Sequence, residues 1–177
     1  LVRCPEGYQK DCFYQKHAND QIPDVIGRVE VPADQGSACY TIAHSLEALL
    51  GLVQIGVLEI HTWGAKRDKL DRPDRMILDL DPGPAVDWSS VIEGAQLLRT
   101  LLSELNLISF VKTTGGKGLH VVVPLQRVHT WDEVKTFSKA IADHLAHMIP
   151  DRFLAHMSKQ KRKGKIYIDY LRNAKGA

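Results

Sequence analysis

The stretch Met76-Ile77-Leu78-Asp79-Leu80-Asp81-Pro82-Gly83-Pro84 alternates aliphatic and acidic residues and ends in Pro-Gly-Pro. Alternate residues of a β-strand share a face, so the pattern predicts a strand with one buried aliphatic face and two neighbouring carboxylates on the other. Adjacent carboxylates repel each other unless a cation lies between them. Their oxygen atoms suit Mg²⁺ or Mn²⁺. The alternative is an ordinary exposed strand end, because two spaced acids are a short motif.

A glycine-rich loop follows further along, in Lys112-Thr113-Thr114-Gly115-Gly116-Lys117-Gly118-Leu119-His120. Glycines let the backbone turn its amides towards an anion and approach it closely. Lys117, the Thr114 hydroxyl and the His120 imidazole are types of group that bind phosphate. The spacing differs from G-x-x-x-x-G-K-[ST], and a strand follows instead of a helix. The alternative is a hairpin turn with a solvated lysine.

A third acid lies in the alternating run 165–173, which again has the pattern of a strand. Asp169 would complete a set of three carboxylates with Asp79 and Asp81. Arg172 follows near the strand end, and its planar guanidinium suits a triphosphate. Three acids, a glycine-lysine-histidine loop and an arginine together predict two-metal phosphoryl or nucleotidyl transfer.

The charge of the chain is concentrated locally. Its net charge is only +2, and 44% of its 177 residues are hydrophobic, which predicts one domain with a sizeable core. Basic residues crowd the segment before Asp169, at Lys159, Lys161, Arg162, Lys163 and Lys165. This segment predicts a basic turn that contacts DNA or nucleotide phosphates. The alternative is a solvated surface loop.

The cysteines are Cys4, Cys12 and Cys39, an odd number that predicts no disulfide framework and a reduced, cytosolic compartment. Cys4, Cys12 and His17 are a weak zinc candidate, because their spacing lacks the usual C-x₂-C pair and a fourth ligand is not evident. The sequence has no apolar run that approaches a membrane span and no signal peptide.

Hydrophobic periodicity predicts an α+β or α/β fold, with a mixed, largely antiparallel sheet that carries the acids and with flanking helices. In the first helix, Leu46, Leu49, Leu50 and Val53 form an apolar stripe after a Ser45 N-cap. Helices are predicted at 45–54, 88–105 (after an Asp87 cap), 131–148 and 151–159. Strands are predicted at 1–4, 13–17, 25–31, 39–42, 57–63, 76–81, 109–112, 119–123 and 165–170, and a turn at 32–36.

The motifs and their order resemble the polymerase domain of bacterial ligase D, a member of the archaeo-eukaryotic primase superfamily. The resemblance runs almost from end to end and is therefore more specific than any one motif. The matching stretches are 1–7, 13–17, 58–63, 71–74, 76–84, 110–124, 157–159 and 168–177.

The resemblance implies roles for individual residues. Asp79, Asp81 and Asp169 would be catalytic and would hold two Mn²⁺ or Mg²⁺ ions. The implied nucleotide-binding set is His61, Thr114, Gly116, Lys117, Gly118, His120 and Arg172. The implied DNA-binding set is Phe13, Tyr14 and Lys16, to which the basic turn adds Lys161, Arg162 and Lys163. Two residues depart from the family: Thr114 replaces a usual serine and Tyr14 a common phenylalanine, which keeps the hydroxyl and the stacking plane.

The resemblance also implies a function. It is template-directed addition of ribo- or deoxyribonucleotides, supplied as NTP or dNTP, to a DNA 3′ end in non-homologous end joining. Implied partners are DNA ends or gapped duplex, Ku, and ligase and nuclease modules, in the bacterial cytoplasm and near the nucleoid. Residues 1–177 would be a single catalytic core that lacks the N- and C-terminal parts of the family domain. The alternatives are a stand-alone primase or repair polymerase, or a non-catalytic module that binds DNA ends or nucleotides.

Overall fold

The computed structural model describes residues 1–32 and 36–176, without the side chain of Lys159. The chain packs as two units, Leu1–Thr62 and Trp63–Ala177. A single domain over 1–177 stays a prediction. The centre of the predicted turn at 32–36 lies outside the described residues.

The first unit contains short strands and one described helix. Its elements are β1 (Val2–Arg3), β2 (Phe13–Tyr14), β3 (Gly27–Pro32), β4 (Ser37–Ile42), α1 (Leu46–Gln54) and β5 (Val57–Glu59). One sheet has the order β2-β1-β5, and β3 pairs with β4. Ile22, Ile26, Leu52 and Val57 form the core of this unit.

The structure corrects the prediction of unpaired cysteines, because Cys4 and Cys12 form a disulfide. The physical reason is strand pairing: β1 and β2 place Arg3 opposite Phe13, so the next residue towards the turn on each strand is a cysteine. The zinc candidate loses two of its ligands for the same reason. Cys39 is a free thiol in the described part of the chain.

Helix α1 begins where the sequence predicts, since the Ser45 Oγ accepts a hydrogen bond from the Ala48 N–H. The helix buries the face that carries Ala48 and Leu52. Gly51 lies on this face, and a Cβ there would be only 3.2 Å from an Ile26 side-chain carbon, so small residues allow the close packing. The predicted apolar stripe is exposed as a consequence; its members are Leu46, Leu49, Leu50 and Val53.

The second unit is built around a larger sheet. Its elements are β6 (Arg75–Pro82), α2 (Trp88–Glu104), β7 (Phe110–Thr113), β8 (Leu119–Pro124), α3 (Trp131–Met148), β9 (Phe153–Leu154) and β10 (Ile166–Asp169). The strand order is β7-β8-β6-β10-β9. All pairs are antiparallel except β9 with β10. The path β6-α2-β7-β8-α3-β10 is a split βαβ arrangement of the ferredoxin-like kind.

Both long helices pack on the same face of this sheet. Leu78, Leu80 and Val121 from the strands join one buried cluster with Leu98 of α2 and Ile141 of α3. Odd-numbered β6 residues therefore face away from the helices, and the face of the sheet without α2 and α3, which we call the open face, carries Asp79 and Asp81. None of the helices in the described ranges is long and apolar enough to cross a membrane.

The predicted helices at 88–105 and 131–148 are confirmed to within one residue. The Asp87 side chain caps α2 by accepting from the Ser90 N–H. The predicted helix at 151–159 is wrong: β9 and a short 3₁₀ turn at Lys159–Arg162 occupy this segment. Phe153 is buried and pairs with Ile166 of β10, so tertiary pairing overrides the local helical pattern.

Candidate active site

Three strands align three of the predicted site residues in a row across the open face. Asp79 of β6 pairs with His120 of β8 on one side and with Asp169 of β10 on the other. Lys112 of β7 pairs with His120 and extends the row. Directly paired residues of antiparallel strands share a face, and Asp81 shares it as the second residue after Asp79. The structure thus brings the three acids and His120 together.

Asp79 is the more enclosed of the two β6 acids, with 14% of its side chain exposed against 50% for Asp81. Its Oδ2 accepts a hydrogen bond from Arg172 Nε at 2.6 Å and lies 3.3 Å from His120 Nε2. Burial alone would raise the pKa of Asp79, but the bonds from His120 and Arg172 outweigh it and leave this pKa below its ordinary value. Asp79 is therefore ionised at neutral pH.

Asp81 is bound by an arginine. Arg162 Nη1 donates to Asp81 Oδ2 at 2.5 Å, and the guanidinium carbon lies 4.2 Å from the ring centroid of Tyr167. Gly83 permits this approach, because a Cβ there would overlap the carbonyl group of Arg162. The Arg162 Nε is buried without a hydrogen-bond partner among the described residues. One residue of the predicted basic turn thus faces the acids.

The other residues of the basic turn differ from Arg162. Lys161 and Lys163 are exposed. Lys165 Nζ donates to a backbone carbonyl oxygen of its own unit at 2.8 Å. The side chain of Lys159 lies outside the described part of the structure. Contact of Lys161, Arg162 and Lys163 with DNA stays a prediction.

Asp169 ends β10 and is held through one carboxylate oxygen. Its Oδ1 accepts from the Leu171 N–H at 2.8 Å and from the Tyr167 hydroxyl at 3.4 Å. Burial is the main cause that raises the pKa of Tyr167 to about 12, and the negative charge of Asp169 is the second. The phenol is therefore protonated and donates to the carboxylate.

Asn173 is a site-shaping residue that sequence reasoning missed. Its Nδ2 donates to the Ile77 carbonyl oxygen at 2.7 Å, and its Oδ1 accepts from the Ile77 N–H at 2.8 Å. The side-chain amide of Asn173 thus pairs with the backbone of β6 at the place that a further residue of β10 would occupy. Asn173 Nδ2 also lies 3.1 Å from the buried Ser138 Oγ. These bonds fix the turn that carries Arg172; no periodicity in the sequence marks the residue.

The glycine loop is open to solvent and joins the row of acids at one end. Thr114 and Lys117 are exposed. Gly115 has a φ of +79°, a left-handed conformation that favours glycine. Gly118 contacts β6 so closely that a Cβ would collide with the Leu80 carbonyl oxygen. The loop is therefore placed beside the acids, and its phosphate binding stays a prediction.

The remaining predicted residues lie in the first unit. Tyr14 and His61 are neighbours there, with 3.4 Å between the Tyr14 hydroxyl and His61 Nε2. The same His61 nitrogen lies 3.1 Å from Glu59 Oε2. Phe13 is exposed, and the Arg3 guanidinium lies 5.4 Å from its ring centroid. Lys16 is also exposed, so these side chains are accessible to a ligand.

The acid set has the right chemistry for divalent cations, but one oxygen of each acid is already hydrogen-bonded. In residues 1–32 and 36–176, no group of three or more His, Cys, Asp or Glu side chains is arranged to hold a metal ion. Arg172 binds Asp79, and Arg162 binds Asp81. Carboxylate oxygens are the ligands that Mg²⁺ and Mn²⁺ prefer. The donor chemistry of the three acids therefore suits such an ion, while the described side chains do not form a ready-made site for it.

An open-faced sheet with three acids, a glycine loop and two arginines defines a candidate nucleotidyl-transfer site. The sequence matches the family described as LigD, primase-polymerase domain, over residues 1–177, and the chain belongs to that family. The predicted resemblance and the fold class are thereby confirmed.

Named relatives agree with the family. The chain is 49% identical over 178 residues to the multifunctional non-homologous end joining protein LigD of Pseudomonas aeruginosa, covering 100% of this chain and 21% of that protein. It is 29% identical over 177 residues to the bifunctional LigD of Bacillus subtilis, covering 99% of this chain and 28% of that protein. The chain thus spans 21% of the first relative and 28% of the second.

A solved structure has the same fold. The polymerase domain of Mycobacterium tuberculosis ligase D in complex with DNA superposes with a TM-score of 0.90 at 27% identity. The match covers 98% of this chain and 63% of that chain. This similarity includes both the mixed sheet and its helices.

Proposed function

We propose that this chain is a nucleotidyltransferase core that adds ribo- or deoxyribonucleotides to a DNA 3′ end, directed by a template, during non-homologous end joining. Membership of the LigD primase-polymerase family implies nucleotidyl transfer. The names of the relatives support a role in end joining. The observation that carries the proposal is the row of His120, Asp79 and Asp169 on the open face, with Asp81 beside it.

The three acids would hold two Mn²⁺ or Mg²⁺ ions. Their carboxylate oxygens would supply the ligands for these ions. When bound, such ions help to ionise the attacking hydroxyl and neutralise charge on the phosphates. Asp79 is suited to this role because its low pKa keeps it ionised at neutral pH.

The glycine loop and the neighbouring cations would bind the incoming triphosphate. Lys117 is exposed on the loop, and backbone amides at Gly116 and Gly118 would donate to phosphate oxygens. Arg172 and His120 already lie at Asp79 and would contact the same triphosphate. Donors fixed in this way would hold the α-phosphate in line with the hydroxyl and stabilise its developing charge. Thr114 and His61 would add further contacts.

DNA would be held by exposed aromatic residues and by basic residues. Stacking on aromatic side chains tolerates any base, which suits Phe13 and Tyr14. Lys16, Lys161 and Lys163 would contact backbone phosphates, together with Arg162. The neighbouring structure was solved with DNA, which supports this part of the proposal. Ku, ligase and nuclease modules, and a place near the bacterial nucleoid, belong to the same proposal.

The direct test is primer extension on a gapped duplex with a 5′-phosphate, Mn²⁺ and labelled rNTP or dNTP. We compare the protein with Asp79→Asn, which keeps the shape of the side chain and removes its charge. The matched control is Asp143→Asn, because Asp143 pairs with Lys139 on α3, on the other face of the sheet. We expect extension by the protein and by the control, and a loss of about 10³-fold or more in Asp79→Asn.

Two outcomes would contradict the proposal. Primer extension that persists in Asp79→Asn would show that catalysis does not require the Asp79 carboxylate. A folded protein that binds nucleotide without extending any primer would instead be a binding module. The arginines on Asp79 and Asp81 are the observation that favours this second candidate, because each occupies one of the two oxygens with which its acid could bind a metal ion.

A further inference from the structure

Tyr167 is a buried polar residue on the face of β10 that carries Asp169. It pairs with Asp81 across β10 and β6 and precedes Asp169 by two residues, so all three side chains share the open face. Only 2% of its surface is exposed. A buried phenol hydroxyl requires a hydrogen-bond partner, whereas phenylalanine would fill nearly the same space without one. The partner here is Asp169.

The hydroxyl of Tyr167 acts on the orientation of the Asp169 carboxylate. A carboxylate of aspartate rotates easily about its last side-chain bond. In Asp169, the Tyr167 hydroxyl and the Leu171 N–H donate to the same oxygen, Oδ1, at 3.4 Å and 2.8 Å. Two donors on one oxygen restrict the rotation of the group, and Oδ2 has no hydrogen bond among the described residues.

The ring of Tyr167 acts at the other end of the acid set. The Arg162 guanidinium lies 4.2 Å from the ring centroid, within the range of a cation–π contact. The same guanidinium donates to Asp81. Tyr167 therefore contacts Asp169 directly and also contacts the Arg162 guanidinium that is bound to Asp81.

We propose that Tyr167 is a positioning residue: its hydroxyl orients Asp169 for a divalent ion, and its ring supports the Arg162 guanidinium beside Asp81. The inference rests on the proposed function, because it assumes that Asp169 is a metal ligand. Groups that hydrogen-bond to metal ligands commonly contribute a factor of about 10 to 100 in metal affinity or activity. At 3.4 Å, the bond from Tyr167 belongs at the lower end of this range.

The test is Tyr167→Phe, which removes the hydroxyl and keeps the ring and its packing. We expect Mn²⁺ affinity, measured from the electron paramagnetic resonance signal of free Mn²⁺, to fall about 10-fold. In primer extension, kcat falls to a similar degree, while the KM for nucleotide changes by less than about twofold. The reason for this split is that Lys117, His120 and Arg172, which would bind the triphosphate, are unchanged.

Two further variants separate the possible failures. Tyr170→Phe removes a hydroxyl from the neighbouring tyrosine, whose ring faces Lys139, and should leave Mn²⁺ affinity and kcat unchanged. Asp169→Asn removes one carboxylate from the proposed metal site and should weaken Mn²⁺ binding. If Asp169→Asn weakens Mn²⁺ binding and Tyr167→Phe does not, the positioning role is overturned and the proposed function stands. If Asp169→Asn binds Mn²⁺ normally, the metal role of Asp169 fails, and the inference fails with it.

Discussion

Gly118 is the point where the glycine loop meets β6, and an added methyl group tests this contact. A Cβ on Gly118 would lie 3.3 Å from the Leu80 carbonyl carbon and well inside the van der Waals distance of its oxygen. The neighbouring atoms are backbone in the centre of a sheet, so no flexible side chain can move aside. The start of β8 must therefore shift, and overpacking of this kind costs about 1–3 kcal/mol.

We expect Gly118→Ala to lower the free energy of unfolding in urea by about 1–3 kcal/mol. For a protein of this size, the melting temperature falls by roughly 2–4 °C per kcal/mol, or about 2–12 °C in all. The affinity for a nucleoside triphosphate in the presence of Mn²⁺ should fall as well. The same shift moves Lys117 and His120 relative to Asp79, whose Oδ1 would lie 3.6 Å from the added atom.

The matched control is Gly116→Ala, two residues away in the same loop. A Cβ on Gly116 would lie 3.6 Å from the Thr114 Oγ1, an ordinary contact, and Gly116 is not among the glycines with positive φ. The free energy of unfolding of the Gly116→Ala variant should stay within about 0.5 kcal/mol of that of the parent protein. Equal stability of the two variants would refute the argument from the Gly118–Leu80 contact.

Three other predictions follow from buried or paired groups. Asn173→Ala leaves the Ile77 N–H and carbonyl oxygen without their partners and should cost about 3 kcal/mol in urea unfolding, so a cost below about 1 kcal/mol would contradict the assigned role. The pKa of Asp79 is lower in the folded protein than in the unfolded chain, where an aspartate has a pKa near 4. The charge of Asp79 therefore stabilises the fold above about pH 4, and this stabilisation is lost as the pH falls through the pKa of Asp79 in the folded protein. The free energy of unfolding without metal should therefore fall less between about pH 6 and pH 3 in Asp79→Asn than in the parent, and parallel pH curves would exclude this contribution. The disulfide of Cys4 and Cys12 closes a short loop and should add about 2–3 kcal/mol, so dithiothreitol should lower the melting temperature of the parent and not of a Cys12→Ser variant.

Periodicity alone determined much of the fold of the second unit. The alternation around Asp79 predicts a strand with one buried face, and the structure has that strand and that face. The same holds for the two long helices, because caps such as Asp87 and repeating apolar positions are local signals. The ordered motifs also sufficed to identify the family.

Local signals failed where a distant partner decides the outcome. The stripe on α1 is periodic, but small residues on its other face allow closer packing against Ile26, so that face is buried. Residues 151–159 have a helical pattern, yet Phe153 pairs with β10. Cys4 and Cys12 look unpaired in sequence and are brought together by the pairing of β1 with β2.

The sequence by itself predicted which residues the proposed chemistry depends on: three acids on strands, a glycine loop and nearby cations. Only the tertiary structure decided their partners, because strand register places His120 and Asp169 on either side of Asp79. It also decided that Arg162 faces Asp81 and that Tyr167 touches Asp169. The physical reason is that periodicity assigns a side chain to a face, whereas its neighbours on that face come from strands far away in sequence.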